Sequence, residues 1–300
     1  MPSAVVFDTN SYQGLPSGVV DSLLAAERER DILACADNWV MIELIAKLVD
    51  PDRQTFARAA LKKLWAHCGA DALRMVVDCE EQVCRVLFDQ SPPNHREVRE
   101  RVRDVAGQVA ATPADQDIEG VLGAARELRA HVDKVERDRS DTILNGIVRA
   151  IVPGADSWDA VARRPELRDQ AIAWIDAGEA VHALAMSEVR RAHLDLALPI
   201  PDPLPKEMVE TVLEHFTYPL EVDSAAIRAV LQHGSDPTIG GRQNTIWDAQ
   251  IAFNAGQTIL DGRTILLVTD DNLLHEVAQH IHQNQVQRLA AYLDACGIAA

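Results

Sequence analysis

The sequence predicts an α/β fold: a parallel sheet with helices on both faces, interrupted by a large, mostly α-helical insertion. Three observations predict it. Ala4-Val5-Val6-Phe7 near the start and T-I-L-L-V-T (Thr264–Thr269) near the end are short, continuous apolar runs with β-branched members, as expected of strands buried on both faces. Each run is bordered by a stretch with helical periodicity, and that alternation builds parallel sheets. From about Asp52 to Phe216 the chain is rich in Ala, Arg, Glu, Asp, Leu and Val, with helical periodicity and few strand signals.

Taken in order, strand Ala4–Phe7 leads to a helix near Gly18–Arg30 and a second strand in I-L-A-C-A (32–36). Asn38, a good N-cap, opens the apolar helix W-V-M-I-E-L-I-A-K-L. The middle is broken into helices at S-P-P-N (91–94), T-P-A-D (112–115), V-P-G (152–154) and R-P (164–165). Asp117–Val152 reads as one long helix or as two meeting near Ser140. Pro199–Pro205 (P-I-P-D-P-L-P) is a stiff return connection. A helix W-D-A-Q-I-A-F-N-A-G, closed by Gly256, precedes strand Thr264–Thr269. A C-terminal helix over Val286–Ala295 stops at Gly297. The expected division is a discontinuous α/β core, 1–51 and 217–300, around a helical insertion, 52–216.

The net charge of −17 bounds the function, because nucleic-acid binders usually carry a basic footprint. Residues 1–50 hold 8 acids and 3 bases, residues 51–150 hold 17 and 16, and residues 151–300 hold 21 and 10. Any polyanion is therefore held mainly by the middle of the chain. Five scattered cysteines form neither a C-x-x-C pair nor a zinc spacing, which suits reduced thiols in the cytoplasm. No run approaches a membrane span, and Asp8 interrupts the N-terminal apolar run too early for a secretion signal. A cytoplasmic protein with no membrane partner is expected.

Five acids stand at informative positions. Asp8 ends the first strand, Glu43 lies within an apolar helix, Asp248 opens another, and Asp270 and Asp271 end the last strong strand. Taken singly, each has an ordinary reading: a cap or turn for the aspartates, a Lys or Arg partner for Glu43. Taken jointly, two strand ends and two helix beginnings are what a parallel sheet gathers at its carboxyl edge. Carboxylates so gathered repel one another unless a cation neutralises them, and oxygen-only donors select Mg²⁺ or Mn²⁺.

F-D-T-N, the Ile-Glu-Leu helix, W-D-A-Q-I-A and L-V-T-D-D, in that order, resemble the motifs of the PIN domain of metal-dependent ribonucleases. The resemblance covers about 50 residues at the start and about 80 at the end, and the helical middle has no counterpart in a simple PIN domain. It implies that Asp8, Glu43 and Asp248 are the first three acids of the site. Asp271, two residues after Thr269, is the fourth. Asp8 and Asp248 would be the principal ligands of one or two Mg²⁺ or Mn²⁺ ions, with Glu43 and Asp271 completing the shell. Asn10 orients the first acid, Thr269 supports the site with its hydroxyl, and Asp270 takes the variable position. The implied reaction is phosphodiester hydrolysis, with RNA as the substrate.

Substrate capture falls to Arg242, in the glycine-rich loop 233–244, and to cations of the insertion, among them Lys62, Lys63, Arg96, Arg99, Arg101 and Arg103. R-E-V-R-E-R-V-R at 96–103 equally suits ion pairs on a solvated helix, and Trp65, Trp158 and Trp174 equally suit core packing. Many compact PIN proteins are toxins held by an antitoxin, so an antitoxin or other protein partner, or a homo-oligomer, is a further expectation. Two alternatives stay open. One is an inactive PIN-like scaffold that binds protein or RNA through its insertion. The other is a haloacid-dehalogenase-like phosphatase, suggested by V-V-F-D-T-N.

Overall fold

Strands form where the sequence is most continuously apolar. In a computed structural model that describes residues 4–16, 18–69, 73–93, 95–113, 116–131, 133–134, 148, 158–232, 244–258 and 262–298, β1 (Ala4–Phe7) and β3 (Ile265–Val268) are buried at every position. With β2 (Leu33–Cys35) and β4 (Val286–Gln287) they make a four-stranded sheet in the order β2-β1-β3-β4. Every pairing is parallel: Ala4 lies beside Leu33 and Ile265, and Leu267 beside Val286. Beyond β2 the pairing continues as a single parallel bridge from Ala36 to Met75. The α/β expectation holds.

By packing, the chain divides into two compact units. The first is Met1–Asp78, Asn94–Val132 and Asn254–Ala300, and the second is Cys79–Pro93 and Asp133–Phe253. These boundaries are not the expected ones. The sheet-bearing unit keeps α1 (Thr9–Gly14), α2 (Val19–Glu29) and α3 (Asn38–Lys47), and it also claims α4 (Pro51–Cys68) and α6 (His95–Ala111). Both α4 and α6 bury one face in that unit, with Ala57, Leu61 and Leu64 on one and Val102, Val105 and Val109 on the other. A further helical stretch in this unit, α7, runs over 119–131.

The second unit is helical in its described part. Its elements are α5 (Cys79–Phe88), α8 (Trp158–Arg163), α9 (Pro165–Asp176), α10 (Glu179–Asp195), α11 (Lys206–Gln232) and α12 (Asn244–Ala252). The expected boundary at 216/217 falls inside α11, where Phe216 has non-helical angles, three residues before Pro219. A proline inside a helix removes a backbone donor and crowds the preceding turn, and here it bends the helix instead of ending the domain. Leu184, Val189, Val212, Phe216, Leu231 and Phe253 belong to the core of this unit.

Local chemistry moves two further element boundaries. The N-cap of α3 is Asp37, whose side chain accepts the Val40 N–H, and Asn38 is the first helical residue. The expected helix Val286–Ala295 begins as β4 and becomes α14 only at Leu289–Ala295, after α13 (Asn272–His280). Gly297, at φ 76°, lets the Ile298 N–H close back on Leu293 O, so the expected stop is there. The expected helix over Asp117–Val152 falls in α7 for its first part, and most of the remainder lies outside the described residues. No described helix is long and apolar enough to cross a membrane.

The first unit carries a buried polar crossing beneath β1. Glu27 of α2 sits 3.0 Å from His67 Nε2 of α4 and accepts the Tyr292 hydroxyl of α14 at 2.8 Å. His67 Nδ1 lies 3.0 Å from the Tyr12 hydroxyl of α1. All four side chains are 3 % exposed or less, so this network replaces water for each of their polar atoms. Phe7 packs its ring against Tyr12, His67 and Tyr292.

Candidate functional site

Because all four strands run parallel, they end on one edge of the sheet. Reading across that edge, Asp37 follows β2, Asp8 follows β1, Thr269–Asp271 follows β3 and Arg288 follows β4.

Asp8 ends β1 because its carboxylate starts the next helix. It is the N-cap of α1, and its Oδ1 accepts the Ser11 N–H at 2.6 Å. Oδ2 accepts the Thr269 hydroxyl at 2.6 Å, and Thr269 Oγ1 in turn accepts the Asp271 N–H at 3.0 Å. Ser11 closes the arrangement by donating its hydroxyl to Val268 O. Asp8 is only 4 % exposed. Burial raises its pKa above the ordinary carboxylate range, the Ser11 and Thr269 bonds offset part of that rise, and the charge of Glu43 adds to it.

Glu43 reaches Asp8 through its neighbour in sequence. Its Oε2 accepts the Thr9 hydroxyl, and its Oε1 pairs with Lys47 Nζ at 2.7 Å, one turn along α3. Asp271 caps α13 by accepting the Leu274 N–H, and His275 Nε2 lies 2.8 Å from Thr269 O. Asp270 is a connector: its Oδ1 accepts the Leu289 N–H, and its carbonyl accepts Arg288 Nη1.

Among the expected site residues, Asp8, Thr269 and Asp271 are therefore joined in one hydrogen-bonded set with Ser11, and Glu43 stands beside it, bonded to Thr9, the residue after Asp8. Asn10 is exposed, and the groups that orient Asp8 are Ser11 and Thr269. Asp248 is a half-buried residue of α12, in the second unit. Arg242 and most of its loop lie outside the described residues. The insertion cations meet carboxylates or carbonyls: Arg96 pairs with Glu100, Arg101 with Glu127, and Lys62 donates to Thr112 O. Trp65 packs within the first unit, over Gly107 of α6.

Sequence reasoning missed a second polar cluster at the same edge. Asp37 is 2 % exposed, and its Oδ2 accepts the Asn254 amide at 2.8 Å. Asp78, two residues after the segment that pairs with Ala36, lies 3.0 Å from His95 Nδ1 and 4.0 Å from Arg99 Nη1. Burial pushes the Asp37 carboxyl up to about 6, against the Asn254 and Val40 bonds, and the charge of Asp78 adds to the rise. The signal was an acid directly after I-L-A-C-A, the same strand-end placement that drew attention to Asp8.

The donors at Asp8 and Glu43 fit a hard cation in kind. Both are oxygen donors, Asp8 is desolvated beside a second negative charge, and each Asp8 oxygen keeps a lone pair beyond the hydrogen bond it accepts. Among the described residues no group of three or more His, Cys, Asp or Glu side chains gathers as a metal site. Mg²⁺ is commonly held by only one or two carboxylates, with water and substrate phosphate filling the remaining positions. Compared with protein-family models, curated proteins and solved structures, the chain matches none.

Proposed function

We propose that this chain is a metal-dependent endonuclease that hydrolyses phosphodiester bonds, with RNA as its substrate and Mg²⁺ or Mn²⁺ as its cofactor. The observation that carries the reading is Asp8: a nearly buried carboxylate at the end of the central strand, locked by Thr269 and Ser11, with Glu43 bonded to the adjacent Thr9. A carboxylate kept desolvated and beside a like charge is costly, and a site that binds a cation there recovers that cost.

In this reading Asp8 and Glu43 hold the cation, and Asp271 is a further acid implied by the PIN resemblance. What a divalent ion supplies when bound is acidification of water at neutral pH and compensation of charge on the phosphate oxygens. The chain's own part is geometric. Thr269 and the Ser11 N–H fix the Asp8 carboxylate in one rotamer, so no reorganisation is needed when substrate arrives. Lys47 keeps Glu43 from adding a full uncompensated charge to the same edge.

The test is cleavage of a mixed cellular RNA pool in Mg²⁺ and in Mn²⁺ by the wild type, by Asp8→Asn, and with chelator. Loss of cleavage in both the variant and the chelator arm is the expected result. Cleavage that survives Asp8→Asn refutes the assignment of the site. A second reading, a PIN-like scaffold without turnover, is favoured by the Lys47–Glu43 ion pair and by the insertion cations being paired within the chain. It predicts no cleavage with either ion by folded protein.

A further inference from the structure

Substrate must be held near Asp8 by positive charge, and the fixed cations at this edge differ in what they face. Lys47 Nζ is 2.7 Å from Glu43, and Arg99 Nη1 is 4.0 Å from Asp78. Arg288 instead meets neutral acceptors: Nη1 donates to Asp270 O at 2.6 Å and Nη2 to Asn272 Oδ1 at 2.8 Å. Among the described residues no carboxylate pairs with it. A guanidinium has five N–H donors in a rigid fork, so three remain for another acceptor.

Its position follows from the peptide it binds. The Asp270 carbonyl and the Asp271 N–H belong to one peptide group, and that N–H donates to Thr269 Oγ1, which donates to Asp8. Arg288 is thus joined to the Asp8 carboxylate through one peptide and one hydroxyl. Anchoring the end of β4 to the end of β3 does not require it, because the Leu289 N–H already bonds Asp270 Oδ1 and the strands pair in register. In a chain of net charge −17, a cation held rigidly by neutral groups beside the candidate site is positioned for an anion from outside.

We infer that Arg288 receives a backbone phosphate of the RNA strand next to the one that lies at Asp8. This rests on the nuclease reading and adds a substrate contact that Arg242 was expected to provide.

The test uses the full chain in the Asp8→Asn background in Mg²⁺, with anisotropy of fluorescein-labelled single-stranded RNA read across a salt series. Arg288→Ala is compared with Arg288→Lys, and each variant is first checked for unchanged circular dichroism and thermal midpoint. Arg288→Ala should weaken binding by about tenfold and lower the slope of log affinity against log salt by about 0.7, the loss of one phosphate contact. Arg288→Lys should fall between, since it keeps the charge and loses the fork. Unchanged affinity and slope in folded Arg288→Ala overturns the inference, as does an absence of RNA binding by the parent. Neither result bears on cleavage by the otherwise wild-type chain, which decides the nuclease reading separately. If that chain cleaves RNA and Arg288→Ala leaves both kcat and KM unchanged, the reading stands and the inference falls.

Discussion

Asp37 offers the sharpest test of the electrostatics at the strand ends. Its carboxyl titrates near 6 because burial and the charge of Asp78 outweigh the bonds from Val40 and Asn254. The unfolded chain titrates near the ordinary 3.9. Between those values the folded state binds the extra proton, so stability from this group is fully present below about pH 4 and is lost as pH rises through about 6. Two pK units correspond to about 3 kcal/mol, an order-of-magnitude figure for the penalty carried at pH 7.5. Asp37→Asn removes the ionisation and keeps an oxygen for the Val40 N–H, while the Asn254 amide can turn to present its own oxygen. The assay is urea unfolding of wild type and variant at pH 4, 5, 6 and 7.5, read as the difference between the two, which cancels the other carboxylates. The variant should match the wild type at pH 4 and exceed it by about 1–3 kcal/mol at pH 7.5. A variant that loses ground as pH rises would refute the reasoning. It would show that Val40, Asn254, His95 and Arg99 together favour the ionised form.

Asp8→Asn should raise the thermal midpoint at neutral pH while abolishing cleavage, because burial disfavours the Asp8 charge that the site requires. A lower midpoint in calorimetry would count against that account. Glu27→Ala should cost about 1–3 kcal/mol in denaturant unfolding for each of the two buried groups it leaves without an acceptor, His67 Nε2 and the Tyr292 hydroxyl; a total loss under about 1 kcal/mol would mean that the crossing does not hold this core together. Gly107→Ala places a Cβ 2.8 Å from the Trp65 ring, so it should destabilise by about 1–3 kcal/mol and shift Trp65 emission, despite the better helix propensity of Ala. Thr269→Val should cost about 1–3 kcal/mol by leaving Asp8 Oδ2 and the Asp271 N–H without a partner, and it should reduce cleavage even where the fold survives.

The parts of this fold legible in sequence were those specified by local pattern. Ala4–Phe7 and the run through Ile265–Val268 read as buried strands because four consecutive apolar residues have no other economical place. Val286–Gln287 did not, because two half-buried residues merge into the helical pattern of L-A-A-Y-L-D-A that follows. The expected edge of the insertion at Phe216 lies inside α11, because Pro219 bends that helix and the helical run continues past it. At the site, Asp8 and Asp271 were visible as acids at strand ends, and Glu43 as an acid inside an apolar helix. Thr9 and Ser11 were not, since a hydroxyl declares a role only when its partner is known. The Glu27–His67–Tyr12–Tyr292 crossing was invisible for a related reason. Tyr292 and Glu27 are 265 positions apart, and no local pattern reports such a pairing.

The central strand has one neighbour close in sequence and one far away. β2 follows within 30 residues of β1, whereas β3 arrives some 260 residues later. At a ribosomal rate of roughly 5–20 residues per second, that edge of β1 waits on the order of 13–50 s for its partner. An unpaired apolar strand edge invites pairing with other chains. During synthesis the backbone groups of Ala4 and Val6, which face β3, are therefore open to the wrong neighbours for far longer than it takes a small domain to fold. Codon usage and chaperone access across that window, more than the final stability, should decide how much of this protein reaches its native state.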